Sequence, residues 1–211
     1  MTITKIKRIG TTNRFHVYVD ESYSGIFLDE TLAFYKLKTD MEIDFDEFKA
    51  IKKENDVKVA FDMAVSYLEK YNVSQKGIKD YLKKKNFDEQ TINNTVEKMK
   101  DYGFIDDEKF AKNYFESLKN SKGKRAIANK LREKGISSEI IEEILQDVQE
   151  EDELEKAILL AEKFVKNRQK DTKCFQKCIA HLIYKGYDYN VAQRATTIAL
   201  KDREETLDDW I

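Results

Sequence analysis

The chain of 211 residues is poor in several residue types that mark particular classes of protein. It contains no proline, which favours uninterrupted helices because proline breaks them. Its two cysteines, Cys174 and Cys178, lie four residues apart on a predicted helix, which argues against the disulfide framework of small secreted proteins. No segment approaches the roughly 20 consecutive apolar residues of a membrane span, and the first residues lack the apolar run of a secretory signal. We therefore expect a soluble, cytoplasmic protein with no membrane association.

A repeated pattern is the strongest feature that the sequence does contain. Similar residues recur three times, as the sets Leu82, Asn86, Phe87, Asp88 and Ile92; Leu131, Gly135, Ile136, Ser137 and Ile141; and Leu182, Gly186, Tyr187, Asp188 and Ala192. The three leucines lie 49 and then 51 residues apart. The chain therefore repeats a unit of roughly 50 residues.

Each set has the chemistry of a junction between two helices. Asn86, or the glycine equivalent to it, can adopt the left-handed conformation that ends a helix. Asp88, or its equivalent, can accept hydrogen bonds from the free N–H groups at the start of the next helix. Phe87 and Ile92 have the spacing of a hydrophobic staple around that cap. Two more junctions of this kind are indicated, beginning at Asn72 and at Gly103.

The junctions divide most of the chain into nine predicted helices. These are expected near 57–71, 75–85, 89–101, 107–120, 123–134, 138–149, 152–168, 173–185 and 189–202. Grouped in threes they give repeat 1 at 57–105, repeat 2 at 106–150 and repeat 3 at 151–203, followed by an acidic tail at 204–211. The predicted fold class is mainly α, with three tandem three-helix repeats that form an elongated curved array.

Residues 1–56 differ from the repeats and are predicted to form a small N-terminal β/α module. Three segments rich in aromatic and β-branched residues are typical of antiparallel strands. They are 5–9, 14–19 and 23–28. Asp29 is expected to cap a short helix, and Asp44 or Asp46 to open another.

Charge is distributed unevenly, although the net charge is only −2. Residues 119–134 hold seven basic residues against one acidic residue, 139–155 hold nine acidic residues and no basic one, and 156–177 hold seven basic residues against two acidic ones. The two basic runs could follow phosphates or an acidic protein groove. The alternative interpretation is an ordinary solvated helix face. The candidate partner-binding residues are Lys122, Lys124, Arg125, Lys130, Arg132, Lys163, Lys166, Arg168 and Lys170.

The sequence offers little support for catalysis or metal binding. Motifs such as G-x-S-x-G, G-x-x-x-x-G-K-[ST] and H-E-x-x-H are absent. Asp106 and Asp107 are adjacent carboxylates, but neighbouring side chains on a helix point apart, and Asp106 has the position of an N-cap. Cys174, Cys178 and His181 share a helical face and could bind zinc, yet Cys178 stands where the other repeats have isoleucine, which favours core packing. We expect no enzyme, no cofactor and no metal.

Two segments resemble signature sequences of a known family. Residues 102–111 read Y-G-F-I-D-D-E-K-F-A, and residues 122–136 read K-G-K-R-A-I-A-N-K-L-R-E-K-G-I. They are similar to G-x-I-D-D-x-x-F-A and K-G-x-x-x-I-x-x-x-L-x-x-K-G-I of the RecX regulatory proteins, modulators of the RecA recombinase. The resemblance runs from about residue 57 to 200. The segment 3–19 also looks like an N-terminal extension that a subset of the family carries.

The resemblance implies a nine-helix array and a non-enzymatic protein of DNA recombination, DNA repair and the SOS response. It further implies that the protein lies in the helical groove of the RecA filament on DNA and restrains ATP hydrolysis, strand exchange and co-protease activity. In this hypothesis the basic residues contact acidic recombinase surface or the phosphate backbone. Because the chain is mildly acidic, contact with DNA is expected to be weak or through the filament, and we expect the protein to act as a monomer.

An alternative of another class is a general DNA-binding or nucleoid-associated helical protein that acts without RecA. Binding to bare DNA that weakens steeply with salt, together with no effect on a preformed filament, would favour it. The sequence leaves open whether the protein only inhibits RecA or can also stimulate it.

Overall fold

The computed structural model describes residues 1–169 and 171–201, and in that part the chain forms four strands and ten helices. The strands are β1 Thr2–Arg8, β2 Arg14–Val19, β3 Ser22–Leu28 and β4 Met41–Glu42. The helices are α1 Asp29–Phe34, α2 Phe45–Leu68, α3 Gln75–Lys84, α4 Glu89–Asp101, α5 Asp107–Leu118, α6 Lys124–Glu133, α7 Ser138–Gln146, α8 Glu150–Val165, α9 Thr172–Tyr184 and α10 Tyr189–Lys201. The chain divides after Asp106 into two compact units. Among these ten helices, none is long and apolar enough to cross a membrane.

The N-terminal strands form one antiparallel sheet with the order β3-β2-β1-β4. This confirms the predicted small sheet, although the two-residue strand β4 was not predicted. Alternate residues of each strand face one side. Ile3, Val17 and Phe27 on that side are fully buried against Phe48 and Ile51 of α2.

Helix α2 runs without a break for 24 residues, whereas the sequence predicted two shorter helices. Asp44 caps it as expected, by accepting hydrogen bonds from two N–H groups of its first turn. The helix continues because its middle packs on the sheet: Asn55 is fully buried, donates to the carbonyl of Ile26 at 2.8 Å and accepts from the N–H of Leu28 at 3.1 Å. The division expected between residues 56 and 57 therefore falls inside α2.

The predicted junction chemistry is confirmed at the residues that end α3, α6 and α9. Asn86, Gly135 and Gly186 have positive φ angles of 63°, 82° and 94°, in the left-handed region that ends helices. Asp88 then accepts a hydrogen bond from the N–H of the third residue beyond it at 2.9 Å. The expectation for Asn72 is wrong, because α2 ends four residues earlier at Leu68 and Asn72 does not have a positive φ.

The repeats each bury the residues that the pattern placed in their cores. Repeat 1 consists of α2–α4, repeat 2 of α5–α7 and repeat 3 of α8–α10. The repeated leucines and the residues four positions before them are at most 1% exposed in all three repeats. They are Leu82, Leu131, Leu182, Ile78, Ile127 and Cys178. Each pair belongs to a separate hydrophobic cluster, so the mainly helical fold of three tandem repeats is confirmed.

Candidate partner-binding site

Both basic runs lie in the second unit, residues 107 onward. The first run extends from the residues before α6 along that helix, in repeat 2, and the second extends from the end of α8 into the following loop, in repeat 3. Lys170, a member of the second run, lies outside the described residues. Repeats 2 and 3 contact each other where α6 begins, and we call this contact the inter-repeat joint.

Helix α6 begins at this joint without a side-chain cap, since its N-cap residue is Gly123. The N–H of Gly123 donates to the carbonyl of Lys185 at 3.0 Å, and the N–H of Arg125 donates to the carbonyl of Gly186 at 3.2 Å. Both carbonyls belong to the turn between α9 and α10. Repeat 3 therefore satisfies N–H groups that the first turn of a helix leaves without partners.

Glu153 of α8 completes the cap. Its Oε1 accepts a hydrogen bond from the backbone N–H of Lys124 at 2.8 Å, and its Oε2 lies 3.8 Å from the Lys124 Nζ. The same ammonium group donates to the carbonyl of Val148 at 2.7 Å. The Glu153 side chain is only 7% exposed, so this carboxylate, which the sequence places within an acidic run, is an internal partner of Lys124.

The joint also requires two glycines, because the backbones approach too closely for side chains. A Cβ on Gly123 would lie 2.5 Å from the carbonyl oxygen of Gly186, and a Cβ on Gly186 would lie 2.3 Å from the Cβ of Ala126. Real Cβ atoms do not approach other atoms this closely, so a side chain at either position would force the two backbones apart.

The remaining residues of the first run differ in how they are held. Arg125 forms an ion pair of 2.5 Å with Asp188 of repeat 3, but its side chain is 71% exposed, and an exposed pair of this kind contributes little stability. Arg132 is exposed and donates to the side chain of Asn129 at 2.9 Å. Lys122 and Lys130 are half-buried.

The second run contains a stack of three side chains. The guanidinium carbon of Arg168 lies 3.8 Å from the ring centroid of Phe164, and Arg168 also donates to the Phe164 carbonyl. The Phe164 ring stacks on the ring of His181 from α9, with centroids 4.8 Å apart. Arg168 is thus held over an aromatic surface by a cation–π contact. Lys163 and Lys166 are exposed on the same segment.

His181 is affected by cations from both runs. Its pKa is lowered, first by burial and then by the charges of Lys185, Arg168 and Lys122. Lys122 comes from the first run and Arg168 from the second, so both cations act on one imidazole. One cation of each run thus contributes to the positive charge around His181, and a concentrated charge of one sign attracts an anionic partner.

An exposed apolar surface at the α9–α10 junction was not predicted. Tyr184 is 81% exposed, and Ile183 and Tyr189 are also largely exposed. A comparison of the repeats in register could have found it. Ile183 and Tyr184 stand at the positions that Arg132 and Glu133 hold in repeat 2. An exposed apolar patch often marks a contact surface.

The candidate zinc residues have different surroundings in the structure. Cys174 and Cys178 are buried in the hydrophobic cluster of repeat 3, as the core-packing interpretation predicted, while His181 stacks on Phe164. Within residues 1–169 and 171–201, no group of three or more possible metal ligands comes together.

The C-terminal half of the chain matches two models of a known protein family. Residues 106–145 match the family model of the second three-helix domain of RecX, and residues 150–196 match that of the third. The chain is 35% identical to the regulatory protein RecX of Clostridium perfringens, over 84% of this chain and 86% of the relative. It is 33% identical to the regulatory protein RecX of Listeria monocytogenes serotype 4a, over 90% and 72%.

Solved structures give the same result. A crystal structure of regulatory protein RecX aligns with a TM-score of 0.67 and 26% identity, covering 90% of this chain and 96% of the other. The crystal structure of RecX from Lactobacillus salivarius aligns with a TM-score of 0.63 and 25% identity, covering 69% of this chain and 97% of the other.

Proposed function

Because the chain belongs to the RecX family of regulatory proteins, we propose that it binds the RecA–DNA filament in its helical groove. There it restrains ATP hydrolysis, strand exchange and co-protease activity, and so acts in recombination and DNA repair in the cytoplasm. It does so as a monomer and without catalysis of its own. Many weak contacts along a groove add up to a stable complex, which suits a protein built of repeats.

The observation that carries this proposal is the run of basic residues on each of repeats 2 and 3, many of them exposed. Arg168 is held over the ring of Phe164, and the charges of Lys122 and Arg168, from different repeats, both lower the pKa of His181. A positive surface of this kind would face the phosphate backbone or acidic recombinase side chains. Such complementarity mainly speeds association and sets the register of the complex.

The nine candidate residues divide into two roles in this proposal. Lys124 is bound to Glu153 at the joint and Arg125 reaches across it to Asp188, and both act as positioning residues. The filament contacts are assigned to the other members of the two runs. They are Lys122, Lys130, Arg132, Lys163, Lys166, Arg168 and Lys170.

The function is tested by adding the purified protein to RecA filaments assembled on single-stranded DNA. ATP hydrolysis and strand exchange should both fall with increasing protein, and sedimentation should show the protein bound to the filament. Unchanged hydrolysis and strand exchange, at concentrations where the protein binds bare DNA, would overturn the proposal in favour of a general DNA-binding protein.

A further inference from the structure

A small recess lies at the inter-repeat joint. It is lined by four lysines, one carboxylate and one phenol. They are Lys119, Lys122, Lys124, Lys156, Glu153 and Tyr187. The polar lining carries three net positive charges at neutral pH, an unusual concentration for a site that is partly enclosed.

Tyr187 supplies a buried hydrogen-bond donor that has no partner. The residue is 1% exposed, and among the described residues none accepts a hydrogen bond from its hydroxyl. Burial, with a smaller contribution from the charge of Glu153, raises the pKa of Tyr187 to about 12. The phenol is therefore protonated at neutral pH, and a buried donor left unpaired costs roughly 1–3 kcal/mol.

Two of the lysines lack partners as well. Lys124 is paired with Glu153, and Lys119 with Glu116 at 2.5 Å. Lys122 and Lys156 are half-buried, and neither forms an ion pair with any side chain in the described part of the chain. Two half-buried lysines and the buried Tyr187 thus line the same recess. All three would be satisfied by an anion with several acceptor oxygens.

The shape of the recess limits what can enter it. Its interior, about 10 Å³, accepts little more than one oxygen atom. It shares the residues Phe115, Lys119, Val148 and Lys156 with a larger cleft of about 470 Å³. The larger cleft is also lined by four carboxylates, Glu116, Glu143, Asp147 and Asp152, which disfavour an anion there, so an anion is expected at the residues shared with the recess, with one oxygen in the recess.

We propose that this recess binds an oxyanion of the phosphate class. One oxygen accepts the hydrogen bond of the Tyr187 hydroxyl, while Lys122 and Lys156 neutralise the charge. A phosphate fits better than a carboxylate because it offers more oxygens to donors on different sides and more charge against a lining of three positive charges. The phosphate can be free in solution or part of a nucleic-acid backbone.

The test is thermal unfolding of the full chain in increasing inorganic phosphate, at constant ionic strength set with chloride. The melting temperature should rise with phosphate and saturate, because a ligand that binds only the folded state stabilises it. Tyr187→Phe should weaken the apparent affinity about tenfold, the loss expected for one hydrogen bond to a charged group. Lys156→Gln, which leaves the core untouched, should weaken it similarly. Lys177→Gln on the exposed side of α9 is the matched control and should not.

Competition with a single-stranded oligonucleotide identifies the source of the phosphate. If the oligonucleotide displaces inorganic phosphate in wild type but not in Tyr187→Phe, the ligand is a backbone phosphate. If the oligonucleotide displaces no phosphate, the ligand is the free ion. Both results support the oxyanion site. Equal stabilisation by phosphate and chloride, or an unchanged phosphate response in both variants, would overturn it. So would a crystal grown in phosphate that shows only a water molecule at Tyr187.

Discussion

The middle helices of the three repeats begin in two different ways. Helices α3 and α9 are capped by their own repeats, through the side chains of Ser74 and Asp171. Helix α6 begins with Gly123, which has no side chain, and its first N–H groups bind the turn and the carboxylate of repeat 3. A helix with its own cap can form within its repeat, whereas α6 is completed only when two repeats meet.

This difference explains why a glycine precedes α6. A serine or aspartate at position 123 would be the stronger cap for an isolated helix. Here its Cβ would lie 2.5 Å from the Gly186 carbonyl oxygen, so it would separate the repeats. The sequence of α6 is thus adapted to the joint at the expense of local capping. Because the proposed filament contacts lie on both repeats, we expect the binding surface to depend on the joint.

The largest expected effect is from Gly186→Ala. A side chain there meets Ala126 of α6 and is strained by a φ of +94°, so we expect a loss of about 3 kcal/mol or more in the free energy of unfolding. Gly103→Ala is the matched control. The φ of Gly103 is +70°, but a Cβ there has open space, so backbone strain alone should lower the free energy of unfolding by only about 1 kcal/mol. Equal losses in denaturant unfolding would show that the joint is not tightly packed.

The next effect in size is from Glu153→Ala. The substitution leaves the N–H and ammonium groups of Lys124 without their carboxylate, which should cost about 2 kcal/mol. Glu153→Gln keeps an oxygen that can accept from the N–H, and we expect it to lose less. Denaturant unfolding of both variants measures this. A Gln variant as unstable as the Ala variant would mean that the charge, and not the cap, holds the joint.

Removal of a cap within one repeat should have a smaller effect. Asp171 accepts a hydrogen bond from the N–H of Cys174 at 2.7 Å, and Asp171→Ala should cost about 1 kcal/mol, as for other helix caps. Since this cap does not touch repeat 2, the variant should keep the phosphate response of the wild type. If the variant lost both stability and the phosphate response, the distinction between the two kinds of helix start would be contradicted.

The smallest effect concerns the pH dependence of stability. The pKa of His181 is lowered by burial and by three cations, so just below the ordinary histidine pKa of about 6.5 the unfolded chain binds more protons than the folded one. The free energy of unfolding should therefore fall as the pH drops from about 6.5 toward the folded-state pKa. His181→Asn should lose this dependence, measured by urea unfolding at several pH values. The same slope in both proteins would show that the pKa of His181 is not lowered in the folded protein.

The sequence predicted those features whose causes lie within a few residues. Asn86 and Gly186 end helices, and Leu131 and Ile127 lie in a core, because backbone freedom and helical spacing decide these outcomes locally. Local charge alone also made Lys124 a candidate partner-binding residue, whereas the structure binds it to Glu153.

Contacts between distant residues could not be predicted in this way. The pairing of Lys124 with Glu153 joins two repeats, and the continuity of α2 depends on Asn55 binding the backbone of β3. In both cases a polar residue that reads as exposed in the sequence becomes an internal partner in the fold. The burial of the Tyr187 hydroxyl could not be predicted either, since the repeat pattern identifies Tyr187 only as an apolar staple residue.

The proposal that the basic residues of repeats 2 and 3 bind the filament is tested most directly by the DNA-stimulated ATP hydrolysis of RecA with two charge-reversed variants. One carries Lys130→Glu, Arg132→Glu, Lys163→Glu and Arg168→Glu in repeats 2 and 3. The other carries the same change in charge in repeat 1, with Lys70→Glu, Lys83→Glu, Lys84→Glu and Lys100→Glu. The first should need about tenfold or more protein for half-inhibition, while the second inhibits like wild type. Full inhibition by a folded first variant would contradict the proposal that these basic residues bind the filament.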